Sequence, residues 1–397
     1  MSSKAARIPR YRPYGGPGLF RQGFRPFFLG AGLCGLIAVA FWLAIFQGVA
    51  SLPTAFSPVA WHAHEMIFGF AGAVIAGFLL TAIPNWTGRM PLQGTPLIVL
   101  FGTWLIGRLA VAISALIGTG LAAVLDLSFF AMLLAVVLRE IFSGRNWRNL
   151  PMPLALSVIL VANLLTHLEA AGQASTGLMG QRLGIATMIL LISLVGGRII
   201  PSFTRNWLAK RSEAAMPASF GRVDQITLFV TLAALVAWVA RPDGQTTGAA
   251  LLAAGVVNFA RLARWRGHRT IVEPLVWSLH LGFAWVPIGL SLLGLGILLP
   301  EFISSTAGLH ALTAGAIGSM AIAVMTRATL GHSGRQLAAD SWTTTIYALV
   351  AVAAALRVLA PIAFEIYYPL LWVSGLLWCA AFGLFTLHYG GILLSHK

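Results

Sequence analysis

From Phe27 to the C-terminus the chain alternates between apolar runs of about 18 residues or more and short polar connections. A run of that length crosses the ~30 Å hydrocarbon core of a bilayer as a single helix. Twelve such spans are predicted, at 27–49, 58–82, 96–118, 120–142, 151–172, 178–201, 223–240, 246–261, 273–299, 305–328, 341–361 and 367–394, the eighth being the shortest. No stretch between them is long enough for an extramembrane domain. The reading is an all-α polytopic membrane protein with a basic cytoplasmic segment at 1–26 and a single transmembrane helical domain at 27–397.

The basic residues give the topology. Arg89, then Arg139, Arg145 and Arg148, then Arg205, Lys210, Arg211 and Arg222 fall in alternate connections. Arg261, Arg264, Arg266 and Arg269, then Arg327 and Arg335, then Lys397 continue the series, while the intervening connections hold little beyond Arg241. Basic connections stay on the cytoplasmic side, so both termini are placed in the cytoplasm. Composition agrees with this reading: 58% of residues are hydrophobic and 9% charged, against about 25% charged in soluble domains. The net charge of +15 is a topology signal and implies no nucleic-acid partner. Lys4, Arg7, Arg10, Arg12, Arg21 and Arg25 resemble the start of a signal peptide, but the run that follows is too long for one and reads as a retained helix. Cys34 and Cys379 both sit inside apolar runs and read as packed thiols.

A faint internal echo accompanies the spans. The second ends in AIPNWTGR, the sixth in IIPSFTRNW and the tenth in VMTRATLGH, which suggests three units of four helices. Helix ends in membrane proteins favour these residue types anyway, so the echo admits a plain reading too.

Metal-binding side chains within lipid are costly and mark candidate sites. Of the nine histidines, His62, His64, His167 and His310 fall at the outer ends of three spans. His280, His332 and His388 fall toward the cytoplasm, and His268 and His396 lie in a loop and a tail. His62 and Glu65 share a helix face, whereas His62 and His64 diverge by about 200°. One helix therefore cannot aim both imidazoles at one metal. Either one ligates while the other supports or serves a neighbouring site, or two centres exist, and Glu65 suits an orienting role beside a ligating histidine. A haem would need an apolar slot, which Gly69, Gly72 and Gly77 could open, and cations for its propionates. Arg108, Arg182 and Arg357 lie in or near the outer halves of their spans and are candidates, with pairing to Asp126, Glu169 or backbone carbonyls as the plain alternative. Imidazoles without thiolates also suit copper, and His280 with His388, at matching depth, is one candidate pair.

The segments FRPFFLG at 24–30, WHAHEMIFGFAGAVIAGFLLTAIPNWTGR at 61–89, GGRIIPSFTRNWL at 196–208 and LHALTAGAIGSMAIAVMTRATLGHSGR at 309–335 together resemble the NnrS family over nearly the whole chain. That resemblance implies a protein of the bacterial inner membrane containing haem b and copper, associated with denitrification and with resistance to nitric oxide and nitrosative stress. It carries His62, His64, His310 and His332 over as candidate ligands, while His167, His280 and His388 rest on depth alone. A looser likeness is to the catalytic subunit of haem–copper oxidases, which also has twelve helices and places haem-ligating histidines on helices 2 and 10. The sixth and seventh spans here lack histidine, so the copper triad of those enzymes is missing and their chemistry does not transfer.

Two classes of function follow. One is a redox enzyme acting on nitric oxide with electrons from quinol in the lipid bilayer. The other is an exporter of metal or metal-nitrosyl species that binds its cargo transiently. A permanent cofactor separates them.

Overall fold

The computed structural model describes residues 14–396. Twelve helices in it are long and apolar enough to cross a membrane, and no strand occurs among the described residues. They are α1 (Phe24–Phe46), α2 (Pro58–Thr87), α3 (Thr95–Ala112), α4 (Thr119–Ser143), α5 (Trp147–Ala170), α6 (Met179–Ala209), α7 (Arg222–Ala240), α8 (Gln245–Ala263), α9 (Pro274–Leu298), α10 (Ser305–His332), α11 (Ser341–Leu359) and α12 (Phe364–Leu394). Each expected span, the short eighth included, corresponds to one of them. The third ends early at Ala112, where the chain turns at Ile113 into the one-turn helix Ser114–Ile117. The sixth runs on to Ala209.

Local chemistry fixes the ends. Ser57 caps α2 by accepting a hydrogen bond from the Ala60 amide at 3.3 Å, with Pro58 in the first turn where a missing N–H costs nothing. Asp340 caps α11 through the Thr343 amide at 2.8 Å, and Gly88, at φ 70°, closes α2 in the left-handed conformation that suits glycine.

The helices are not equivalent. Over their most apolar stretches α2, α6 and α10 are 67, 56 and 72% buried, whereas none of the others exceeds 50%. These three form the interior and the rest enclose them. The same three carry a π-helical segment each: Glu65–Phe70, Ile192–Gly196 and Ala311–Gly318. A π turn accommodates an extra residue and re-aims the side chains around it. Between them lies an apolar cavity of about 110 Å³ lined by Ala71 and Ile75 of α2, Leu156 of α5, Met188 of α6, and Ile317 and Met320 of α10.

The glycines of α2 do not open a slot. A Cβ at Gly72 would meet Phe130 at 2.8 Å, one at Gly77 would meet Phe28 at 2.5 Å, and one at Gly69 would meet Arg108 at 2.8 Å. Neighbouring helices already use the space, as small residues in membrane helices permit.

Lys4, Arg7, Arg10 and Arg12 of the basic segment, and Lys397, lie outside the described residues. Arg25 behaves unlike a solvated topology signal. It is 1% exposed and donates to the carbonyls of Ile392 at 3.3 Å and Leu393 at 3.4 Å and to that of Ser395. The carbonyls at a helix C-terminus have no partner within the helix and attract cations, so Arg25 caps α12 and joins the first span to the twelfth. Arg261 is likewise buried. It pairs with Asp224 of α7 at 2.8 Å and donates to the Ser193 carbonyl in the π segment of α6 at 2.9 Å. The cause is that α8 continues to Ala263, which turns this arginine inward before the helix ends.

Replacing Arg25 with Ala should destabilise the bundle by about 2 kcal/mol, the value of hydrogen bonds from a charged donor. Thermal unfolding in detergent would read the loss, with Arg21→Ala as a milder comparison because its bond to the His396 carbonyl is exposed. Equal melting of wild type and Arg25→Ala would mean that α1 and α12 are held by packing alone.

Candidate functional site

Most of the site chemistry gathers at one end of the bundle, opposite the end where α1 begins. There α2, α4 and α10 start while α3, α5 and α11 finish. His62 and His64, on successive sides of the α2 entrance, project into two different places, as helical geometry requires.

His64 enters a buried cluster with Glu65, Arg108, Asp126, Asn163 and His167. Its Nε2 lies 2.9 Å from Asn163 Oδ1 and 3.2 Å from Asp126 Oδ2, and its Nδ1 lies 3.3 Å from Glu65 Oε1. Asn163 Nδ2 donates to Asp126 Oδ2 at 2.7 Å, and His167 Nε2 stands 3.0 Å from the same oxygen. Arg108 donates to Glu65 Oε1 at 2.8 Å and pairs with Asp126 Oδ1. His64 and Asp126 are fully buried, and Asn163 is too. Two carboxylates face one guanidinium, so one further positive charge is needed to balance them. Both nitrogens of His64 face oxygen acceptors, so a proton on each would supply it. A metal cation would supply it equally: one ligand atom each from His64, Asp126 and His167 lie within 4.8 Å of one another.

Glu65 thus supports His64 rather than His62. The π segment starts at Glu65 and Arg108 draws its carboxylate to the α3 and α4 side, away from the face it would share with His62 in a regular helix.

His62 faces the other way. Its ring stacks on Trp42 of α1, with centroids 4.7 Å apart and 20° between planes, and its Nδ1 is buried without a partner. His310, at the last α-helical residue before the π segment of α10, and Arg357 of α11 lie within electrostatic range of it. Arg357 forms no ion pair among the described residues; Tyr367 is the polar side chain that acts on it, and its Nη1 is buried and unpartnered. Two imidazoles from facing helices therefore stand beside a cation that no carboxylate offsets.

The remaining candidates lie elsewhere. Arg182 donates to the Gly177 carbonyl at 2.6 Å, with Glu169 and Asp243 nearby. His280 and His388 have different partners at the other end of the bundle: Thr204 of α6 at 2.8 Å for the first, Asp340 before α11 at 2.8 Å for the second. His332 packs beside Phe24, centroids 5.8 Å apart. Asn163 is a site residue that the histidine pattern missed, and Asp126 was named only as a partner for arginine. An amide and an acid inside otherwise apolar runs are the signals that could have found them.

Removing Asp126 should leave Arg108 with Glu65 alone and take from His64, Asn163 and His167 the carboxylate they share. Asp126→Ala should cost about 3–5 kcal/mol, the penalty for breaking a buried pair from one side. The double variant Arg108→Met/Asp126→Leu should recover much of that loss. Denaturation of the three variants in detergent tests this, and additive losses would mean that the two groups do not depend on each other.

The family model described as NnrS protein matches residues 18–397. No curated protein matches the chain. A match across nearly the whole length shows the family, and the chain belongs to NnrS.

Proposed function

We propose that this NnrS-family chain is a haem- and copper-binding protein of the bacterial inner membrane that serves the response to nitric oxide, with haem b held between α2 and α10 by His62 and His310. The carrying observation is Arg357, which no carboxylate among the described residues offsets, beside His310 and a His62 whose buried Nδ1 has no hydrogen-bond partner. An isolated guanidinium in a low-dielectric interior is strongly unfavourable. An anionic group lying against it removes that cost, and a haem propionate is such a group. The donor set therefore fits a haem: neutral imidazoles from two rigid helices, an aromatic neighbour and a cation.

The residues divide the work. Trp42 stacks on His62 and fixes its ring plane. Arg357 holds a carboxylate at the α11 side. His64, Asp126 and His167 offer two imidazoles and a carboxylate for copper, with Glu65 orienting His64 through its second nitrogen and Arg108 balancing the excess negative charge. When bound, haem iron supplies reversible one-electron chemistry and an affinity for nitric oxide. The apolar cavity between α2, α6 and α10 suits a small lipid-soluble gas. Electrons would come from quinol in the lipid bilayer.

Two further features support the oxidase-like arrangement of three four-helix units. The π segments recur on α2, α6 and α10, four helices apart. Arg108 lies one turn before the end of α3 and Arg357 in the last turn of α11, the third helix of the first and third units. With both termini cytoplasmic, the histidine-rich end faces outward.

Absorption spectra of the purified protein, oxidised and reduced, with metal analysis of the same sample, test the proposal. Stoichiometric b-type bands that shift with nitric oxide are expected. His62→Ala and His310→Ala should abolish them, whereas His64→Ala should leave the haem and reduce copper. Haem-free protein from haem-replete cells would sink the redox reading and favour an exporter of metal or metal-nitrosyl species, in which the histidines hold cargo only in passing.

A further inference from the structure

A second cavity, of about 460 Å³, lies at the other end of the bundle, where α8 gives way to α9. His280, His268, Gly267 and Trp277 line it, and its rim is apolar: Ile271 is 71% exposed and Leu281 36%. His280 follows Pro274 by six residues, which places it roughly 9 Å along α9 at the helical rise of 1.5 Å per residue. The rim runs from Ile271 in the connection before α9 to Leu281 beside His280, which places the apolar mouth at the membrane interface.

The hydrogen bonds of His280 determine what the cavity can hold. The single hydrogen of the Thr204 hydroxyl is given to the Ile200 carbonyl at 2.9 Å. Its oxygen must therefore accept from His280 Nε2, 2.8 Å away, which assigns the ring proton to Nε2. Nδ1 is left with a bare lone pair. That atom is buried, has no partner, and belongs to a residue only 8% exposed. It looks across the backbone of Gly267, where a Cβ would come within 2.6 Å of it. Trp265, 2% exposed and edge-on to the imidazole with centroids 6.4 Å apart, holds the ring in place. The cavity thus presents a fixed acceptor, an aromatic wall at Trp277 and a mouth on the bilayer.

From this geometry we propose that the cavity binds the headgroup of a membrane quinol, with a phenolic hydroxyl donating to His280 Nδ1, in preference to the oxidised quinone. The quinone offers only carbonyl oxygens, whose lone pairs oppose that of Nδ1. The quinol satisfies a buried acceptor that otherwise costs free energy. The inference rests on the redox reading above and names where the donor docks; it concerns binding and invokes no step beyond it. An ethanolamine headgroup of a lipid is the other membrane donor with matching chemistry.

The experiment uses the purified holoprotein in phosphatidylcholine nanodiscs, with short-tailed quinol and quinone analogues as probes. Binding is measured for each redox form, anaerobically, and the haem spectrum is recorded on the same samples. One hydrogen bond is worth about a tenfold difference in affinity, so the quinol should bind about tenfold more tightly than the quinone. His280→Phe keeps an aromatic ring and removes the acceptor. Thr204→Val keeps His280 and removes the acceptor that holds the ring proton on Nε2. Both should erase the preference while leaving the haem bands unchanged. Equal binding of the two forms by wild type, or a preference that survives both variants, overturns the proposal. So does loss of quinol binding when the nanodiscs contain phosphatidylethanolamine, because a headgroup then owns the site. Absence of haem bands is a separate result: it removes the redox reading, whereas quinol preference without them still places a quinol here.

Discussion

An arginine in an apolar interior must find negative charge, and this constraint organises the bundle. Arg108 meets it with Asp126 and Glu65, which ties α3 to α4 and α2. Asn163 and the two histidines then follow, because each remaining lone pair of those carboxylates must also be occupied. Arg261 meets the same need with Asp224 and a carbonyl of α6. Unlike Arg108 and Arg261, Arg357 has no acid paired with it among the described residues, and it lies where His62 and His310 converge. The argument for a bound group is therefore one of imbalance, made visible by two neighbouring examples of balance.

The π segments connect that electrostatic pattern to geometry. On α2 and α10 the π turn begins directly after a histidine, His64 in one and His310 in the other. On α6 it contains Ser193, whose carbonyl takes Arg261. Each of the three interior helices thus departs from regular winding where it meets a charged or metal-capable partner. Regular α turns would rotate those side chains along with the packing face. The extra residue separates the two requirements, so that a helix can keep its apolar contacts and still aim a polar group sideways.

Much of this was legible in the sequence. The twelve spans are written in hydropathy alone, since lipid permits few alternatives to long apolar helices. The divergence of His62 and His64 followed from 100° per residue, and the structure separates them as that angle requires. Side-chain partners were harder to read. Helical spacing places Glu65 on the face of His62, and the π turn with the pull of Arg108 brings it to His64 instead. The glycines of α2 suggested an open slot, and Phe28, Phe130 and Arg108 fill it. Arg25 and Arg261 look like topology signals because sequence records charge and position but not which way a terminal turn faces. Matching depth drew His280 and His388 together, and azimuth, which depth cannot give, provided them with different partners.

The bond between Arg25 and the end of α12 has a consequence for biogenesis. Its acceptor at Ile392 lies 367 residues further along the chain. At translation rates of 5–20 residues per second, the guanidinium waits roughly 20 to 70 s for that carbonyl to be made. Throughout that interval the Arg25 guanidinium lacks its α12 acceptors and has its nearby ones, Gln22 at 3.1 Å and the Gly18 carbonyl at 3.4 Å. The ring of helices cannot shut until α12 has left the insertion machinery. Assembly in the bilayer is then less a stacking of finished hairpins than the closing of a clasp, and nascent chains stalled before α12 should present an open seam along α1 to membrane chaperones and proteases.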